Sequence, residues 1–103
     1  MTLEDIRLLV VGVDQNARHY HSMSAEDAYT YWEETQRLPM ISDDRHEEAW
    51  RFYVHRFTQD ETDQTAAALY AALDGDPRVT VAHTVDHDPE DGTIHHIYQC
   101  EGY

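Results

Sequence analysis

Histidine, which can bind metal ions and transfer protons, is the residue type in this chain whose positions most suggest chemistry. Four of the eight histidines lie near the C-terminus. His83 and His87 fall in one β-rich segment, and His95 and His96 fall in the next. Side chains alternate along a strand, so His95 and His96 point to opposite faces, and His83 and His87 lie about 13 Å apart. If the two segments pair, His83 can lie beside His96, because opposed residues approach to about 5 Å.

The sequence therefore offers His83 and His96, together with a carboxylate, as candidate ligands of a divalent metal. No other cofactor is expected. The spacing of these histidines matches no ligand pattern of structural zinc, which favours the alternative that they are ordinary histidines on a sheet surface.

Carboxylates are the most numerous ionisable groups. The chain has 21 Asp and Glu residues against seven Arg and no Lys, which gives a formal net charge of −14. Nucleic acids and anionic membrane surfaces both attract basic proteins, so this charge argues against direct binding to either. A basic protein partner fits the charge instead.

The acids also cluster at a spacing that costs stability. Asp43 with Glu47, and Asp44 with Glu48, form like-charge i, i+4 pairs if this segment is a helix, at about a few tenths of a kcal/mol each. Carboxylates one helical turn apart are about 6 Å apart, similar to successive phosphates of a nucleic-acid strand.

We therefore predict a non-catalytic interaction or regulatory protein, such as an inhibitor, that presents carboxylates to a basic, nucleic-acid-binding partner. The predicted partner-binding residues are Glu26, Glu33, Glu34, Asp43, Asp44, Glu47, Glu48, Asp60, Glu61 and Asp63.

The acidity is also compatible with causes unrelated to a protein partner. Adaptation to a high-salt cytoplasm, or a genome that encodes Arg and Asp in preference to Lys, gives the same composition. Divalent cation binding also uses carboxylates. The segment with Asp86, Asp88 and Glu90 begins like a calcium loop, but it lacks the Gly and the bidentate Glu that complete such a loop.

No motif commits the chain to catalysis. The sequence contains no Gly-rich phosphate loop and no GxSxG, CxxC or HExxH motif, and it places no histidine against Cys100. A small dimeric enzyme or ligand-binding domain is a further alternative, although aromatic stripes at helical spacing are more often core. Its pocket would be lined by Trp32, Trp50, Tyr29 and Tyr53.

The predicted elements are those of a small α+β domain with the order β-α-α-α-β-β. Residues 6–13 are apolar and β-branched, which predicts a buried strand. Capping residues Ser24, Ser42 and Thr58, each followed by apolar residues at helical spacing, predict three helices. Aromatics at residues 51–57 also suit a strand, but the caps and the periodicity favour a helix.

The last quarter of the chain is predicted to be a hairpin. Residues 79–86 and 93–100 are rich in strand formers, and the turn formers of residues 87–92 separate them. The elements together give a three-stranded sheet with the helices packed on one face. Such a sheet leaves edges and a face open, which favours a homodimer.

The length of 103 residues fits a single domain, residues 1–103. One cysteine allows no intramolecular disulfide, and the N-terminus lacks the features of a secretory signal. The longest apolar run falls far short of the about 20 residues of a membrane span. These features indicate a cytoplasmic protein.

Overall fold

The computed structural model describes residues 1–20, 27–40 and 47–103, and in this part of the chain it shows two helices and a five-stranded sheet. The elements are α1 (Leu3–Val11), β1 (Arg18–His19), β2 (Tyr29–Arg37), β3 (Trp50–Thr58), α2 (Gln64–Asp74), β4 (Val79–His87) and β5 (Ile94–Gly102). The strand order is β1-β2-β3-β5-β4, with β1 parallel to β2 and the other pairs antiparallel. The α+β class is confirmed, whereas the predicted three-stranded sheet and three helices are wrong in number.

The N-terminal segment forms helix α1, so the strand predicted at residues 6–13 is wrong. The Thr2 hydroxyl accepts a hydrogen bond from the Asp5 N–H, and the Asp5 carboxylate accepts one from the Thr2 N–H, which completes a capping box. Ile6 and Val10 are buried one turn apart, while Leu8 between them is exposed. A continuous apolar run hides this helical period in the sequence.

Strands β2 and β3 occupy segments that were predicted to be helices. They pair antiparallel, with Trp32 opposite Val54. Both faces of each strand carry large apolar or aromatic side chains, so the two-residue alternation that marks a strand is weak, and an accidental four-residue spacing predicts a helix. The helix starts predicted at Ser24 and Ser42 lie outside the described residues.

Helix α2 and the C-terminal hairpin confirm the predicted element types. The Asp63 carboxylate caps α2 by accepting a hydrogen bond from the Ala66 N–H at 2.9 Å. The cap predicted at Thr58 is wrong, because Thr58 is the last residue of β3. Strands β4 and β5 pair along nine residues each. Since β5 lies between β3 and β4, the β3-α2-β4 segment is a split β-α-β unit.

Both helices pack on one face of the sheet, and this helix face holds the core. The core joins residues of both helices to alternate residues of the strands, with members Met1, Ile6, Val10, Trp32, Phe52, Val54, Leu69, Leu73, Val79, Tyr98 and Cys100. The intervening strand residues point to the opposite side of the sheet, which we name the ring face. Its aromatic residues are Tyr29, Tyr31, Tyr53, His55, Phe57 and His95.

No helix within the described ranges is long and apolar enough to cross a membrane.

Candidate functional site

Aromatic rings on the ring face form a stack that crosses three strands. The ring centroids of Tyr29 on β2 and Phe57 on β3 are 4.8 Å apart, and those of Phe57 and His95 on β5 are 4.0 Å apart. The interplanar angles are only 16° and 15°. The register sets this geometry, because Tyr29 lies opposite Phe57 and Phe57 lies opposite His95. The packed strands therefore hold the rings in place before any ligand binds.

A cavity of about 520 Å³ lies beside this stack, and we name it the acid cavity. It is lined by the rings of Tyr29, Phe57 and His95 and by the carboxylates of Asp27, Asp86, Asp88 and Asp91, with polar neighbours that include Gln59 and Thr93. No arginine is among the described residues that line it. The cavity thus combines flat aromatic rings with four carboxylates and with two imidazoles, those of His87 and His95.

The β4–β5 turn holds part of this carboxylate set in place. The Asp88 N–H donates to the Thr93 carbonyl at 2.9 Å, and Gly92 provides the positive φ of 75° that the turn requires. The Asp91 carboxylate accepts the Thr93 N–H at 2.8 Å. Hydrogen bonds from Thr93 lower the pKa of Asp91, so this carboxylate is negatively charged at neutral pH.

His95 adds no positive charge to the cavity at neutral pH. Its Nε2 lies 2.9 Å from Nδ1 of His55 on the ring face. Burial, and then the neighbouring His55, lower the pKa of His95. Since the ordinary value is about 6.5, the imidazole is neutral near pH 7 and acts in the cavity as a ring and a hydrogen-bonding group.

Of the acids predicted to bind a partner, none that the structure describes lines this cavity, and the described ones do not share one surface, since Glu33 is on the ring face and Glu34 is on the helix face. Three of them, Glu47, Asp60 and Glu61, are exposed and lie outside the helices and strands. Three more lie outside the described residues: Glu26, Asp43 and Asp44.

The other four predicted acids have partners within the chain: Glu33, Glu34, Glu48 and Asp63. Glu34 accepts hydrogen bonds from His19 Nε2 at 2.7 Å and from the Tyr20 hydroxyl. Burial acts to raise the pKa of Glu34, but these two bonds hold it below its ordinary value. Asp63 binds the Arg56 guanidinium on the helix face. The carboxylate oxygens that these contacts occupy are less available to a partner.

The structure brings the predicted metal ligands His83 and His96 together. His83 Nε2 lies 2.9 Å from His96 Nδ1, across the β4–β5 pair on the helix face. Burial lowers the pKa of both imidazoles. They line a second cavity of about 390 Å³ beside α2, the histidine cavity, whose other lining residues include Glu61, Asp63 and Tyr70. Within the described ranges, no three His, Cys, Asp or Glu side chains converge as a complete metal site.

Two other sequence candidates are placed apart from both cavities. Cys100 is fully buried in the core, and burial raises the pKa of its thiol to about 12, so it lacks the thiolate that a nucleophile needs. Trp32 lies in the core and Trp50 packs against it, whereas Tyr29 and Tyr53 lie on the ring face. The predicted pocket of these four aromatics therefore does not form, although Tyr29 lines the acid cavity.

A comparison of the sequence with models of known protein families finds no match, and a comparison with curated proteins finds none either. Sequence reasoning missed the acid cavity because two of its rings, Tyr29 and Phe57, lie in segments predicted to be helices. The signal that points to it is the dense run of acids at residues 86–91 beside His95.

Proposed function

We propose that the protein is a non-catalytic interaction protein that binds a basic segment of a partner protein at the acid cavity. The observation that carries the proposal is the composition of this cavity: four aspartates surround a preformed aromatic stack, and no described arginine lines it.

The aromatic rings and the carboxylates favour the same kind of group. Phe57 is stacked between Tyr29 and His95, so both of its ring faces are covered, and the stack offers apolar surface on which the aliphatic stems of Lys and Arg side chains pack. Carboxylates add charge-assisted hydrogen bonds. The carboxylates repel an anion, and they make an uncharged apolar ligand costly to seat because they would lose water without gaining a partner.

None of the described arginines lines the cavity, and three of them pair with carboxylates elsewhere. Arg51 pairs with Glu101, Arg56 with Asp63, and Arg78 with Asp76, at N–O distances between 2.8 and 2.9 Å. Arg51 is on the ring face but six residues along β3 from Phe57, which is about 20 Å in a strand. The negative charge at the cavity therefore remains for a partner.

The volume of the acid cavity and the net charge of the chain also limit the kinds of molecule that can occupy the cavity. A volume of about 520 Å³ lies within the range of about 300–1,000 Å³ typical of ligand sites. A second copy of this chain is disfavoured, because two molecules of net charge −14 repel each other at low ionic strength. A nucleic-acid-binding protein supplies a suitable segment, since such proteins carry Lys and Arg that contact phosphates.

The test uses fluorescent peptides of equal length that contain arginine, lysine or only neutral residues. We expect the two basic peptides to bind at 50 mM salt and to lose at least tenfold in affinity at 500 mM salt, because salt screens exposed charges. The neutral peptide serves as the control. A basic peptide whose affinity is the same at both salt concentrations, or no tighter than that of the neutral peptide, contradicts the proposal.

A matched pair of variants locates the site. Asp86→Asn, Asp88→Asn and Asp91→Asn together remove three charges from the cavity but keep an oxygen that can accept the backbone hydrogen bonds of the turn. Glu47→Gln, Asp60→Asn and Asp74→Asn together remove the same charge from exposed positions elsewhere. We expect the first triple variant to weaken peptide binding at least tenfold and the second less than threefold. Equal losses would place the contact outside the acid cavity.

A further inference from the structure

The histidine cavity lies on the opposite side of the sheet from the acid cavity and has a different chemistry. Its two imidazoles come from neighbouring strands, where Val85 lies directly opposite His96 and Tyr98 lies opposite His83. His83 and His96 are therefore diagonal neighbours, and their rings lean together until Nε2 and Nδ1 are 2.9 Å apart. The ring centroids are 5.1 Å apart.

We infer that His83 and His96 form a two-histidine chelate for an exchangeable first-row divalent metal ion of the group that prefers imidazole, such as Zn²⁺ or Cu²⁺. This site is separate from the proposed peptide-binding function and does not depend on it.

The spacing of the two nitrogens suits one shared ion. With metal–nitrogen bonds of about 2.0–2.1 Å, two nitrogens on the same ion are about 2.8–3.4 Å apart, for angles between 90° and tetrahedral. The observed 2.9 Å is at the lower end of that range. For both nitrogens to bind an ion on the cavity side, the two rings must turn so that their lone pairs point at the ion instead of along the hydrogen bond between them.

The protons on the two imidazoles can be rearranged so that both facing nitrogens bind the metal ion. With both rings neutral and no metal bound, one of the facing nitrogens carries a proton and donates it to the other. When the ion binds, both facing nitrogens must offer lone pairs, so the donor ring moves its proton through solvent to its other nitrogen. Two neutral imidazoles bind the ion, and no net proton is released.

The surroundings hold the chelate in position. The His83 ring stacks on Tyr98 at 4.5 Å with an interplanar angle of 11°. Tyr98 is itself fully buried and donates its hydroxyl to the Ala66 carbonyl of α2 at 2.6 Å. The centroid of the Tyr70 ring of α2 lies 5.6 Å from that of His83, with the two rings tilted by 35°. Anchoring of this kind lowers the cost of ordering the ligands.

Because the histidine cavity is open, the metal ion is expected to exchange with solvent. Since no third ligand converges on the pair within the described residues, water or an exogenous ligand completes the coordination in the volume of about 390 Å³. A structural zinc site has four protein ligands, so this ion is exchangeable. Among divalent ions at a nitrogen site, Cu²⁺ is expected to bind more tightly than Zn²⁺ or Ni²⁺.

The experiment titrates the full chain, purified without a histidine tag, with ZnCl₂ and separately with CuCl₂ by calorimetry. Electron paramagnetic resonance of the copper form then reports nitrogen ligation. We expect one ion per chain, two nitrogen ligands, and at least tenfold weaker binding in each of His83→Ala and His96→Ala. His83→Gln keeps a polar side chain of similar size, so the same loss in this variant assigns the effect to the imidazole.

Two further histidine variants are the matched controls. His87→Ala removes a histidine from the end of the same strand, and His95→Ala removes one from the pair on the ring face. Both are expected to bind within twofold of the unmodified chain. The inference is overturned if no stoichiometric ion binds, if all variants bind alike through carboxylates, or if His95→Ala gives the larger loss.

Discussion

Arg56 is the residue on which several elements of the fold depend. It is only 8% exposed, yet its guanidinium donates to both carboxylate oxygens of Asp63, at 2.9 and 3.2 Å, and to the Thr30 hydroxyl at 3.3 Å. Asp14 lies 3.5 Å away on another side. One side chain thus links β3, β2, the start of α2 and the segment after α1. A buried charge is tolerated here because it is paired and hydrogen-bonded.

Removing the charge of Asp63 tests this network. Asp63→Asn keeps a side-chain oxygen that can cap α2 but leaves the buried Arg56 with less negative charge. We expect the free energy of unfolding to fall by about 3 kcal/mol, the lower part of the range for breaking a buried ion pair. Urea denaturation followed by circular dichroism measures it. A loss below about 1 kcal/mol would show that Asp14 alone compensates Arg56.

The same residue gives a pH dependence with a defined sign. Burial acts to raise the pKa of Asp63, but hydrogen bonds from Arg56 and from the Ala66 N–H hold it below the ordinary value. A carboxyl with a depressed folded-state pKa contributes stability above its unfolded pKa of about 3.9. That contribution is lost as the pH falls through the folded-state value.

We therefore expect the stability difference between the unmodified chain and Asp63→Asn to be largest near pH 7 and to shrink steadily below about pH 4. Urea unfolding at several values between pH 7 and pH 3 gives the comparison. A difference that stays constant across this range would mean that protonation of Asp63 is not linked to unfolding.

At the scale of elements, the helices and strands that were predicted correctly are those whose sequence signals lie within a short stretch of the chain. The β4–β5 hairpin and α2 can be predicted from the sequence, because their turn formers and their 3.6-residue period lie within short stretches of it. Strands β2 and β3 are not, since Phe52 and Val54 face the helices while Tyr53 and His55 lie on the ring face. Burial on both faces comes from tertiary packing, which local periodicity does not encode.

The same distinction between local and tertiary signals separates the two candidate sites. The proximity of His83 and His96 follows from a hairpin whose strands and turn are locally encoded, so the sequence predicted it. The acid cavity needs Tyr29 and Phe57 to stand opposite each other, 28 residues apart, in strands that the periodicity misassigned. Its aspartates were visible in the sequence, but the rings beside them were not.

The turn that shapes the acid cavity gives a test at this scale. Gly92 has a φ of 75°, and a Cβ added there would meet no atom within 4 Å. Any cost of substitution therefore comes from the backbone conformation and not from crowding. We expect Gly92→Val to destabilise the chain by about 1–2 kcal/mol and Gly92→Asn by clearly less, because Asn tolerates the left-handed region. Thermal unfolding of both variants decides this, and equal losses would point away from the backbone.

For the whole molecule, charge is the property that links stability to binding. A net charge of −14 on 103 residues opposes the compact state through self-repulsion. The arginines relieve part of it in pairs such as Arg78 with Asp76 and Arg51 with Glu101. The acidic turn around Asp88 has no described arginine in its cavity. Salt should therefore act in opposite directions on folding and on the proposed association.

We expect the melting temperature to rise by at least about 5 °C between 0.05 and 0.5 M NaCl, roughly 1 kcal/mol for a domain of this size, because added ions screen the repulsion within the chain. Over the same range, binding of the basic peptides should weaken, since the same ions screen attraction between chains. Differential scanning fluorimetry and peptide titration on one protein sample provide both curves.

If the acidic composition is only an adaptation to a high-salt environment, the melting temperature should keep rising into the molar range of salt. In that case no peptide should bind at low salt while the chain is folded. Stabilisation that levels off near 0.5 M, together with peptide affinity that is highest in dilute buffer, instead identifies the acids as a binding surface whose repulsion the folded chain tolerates.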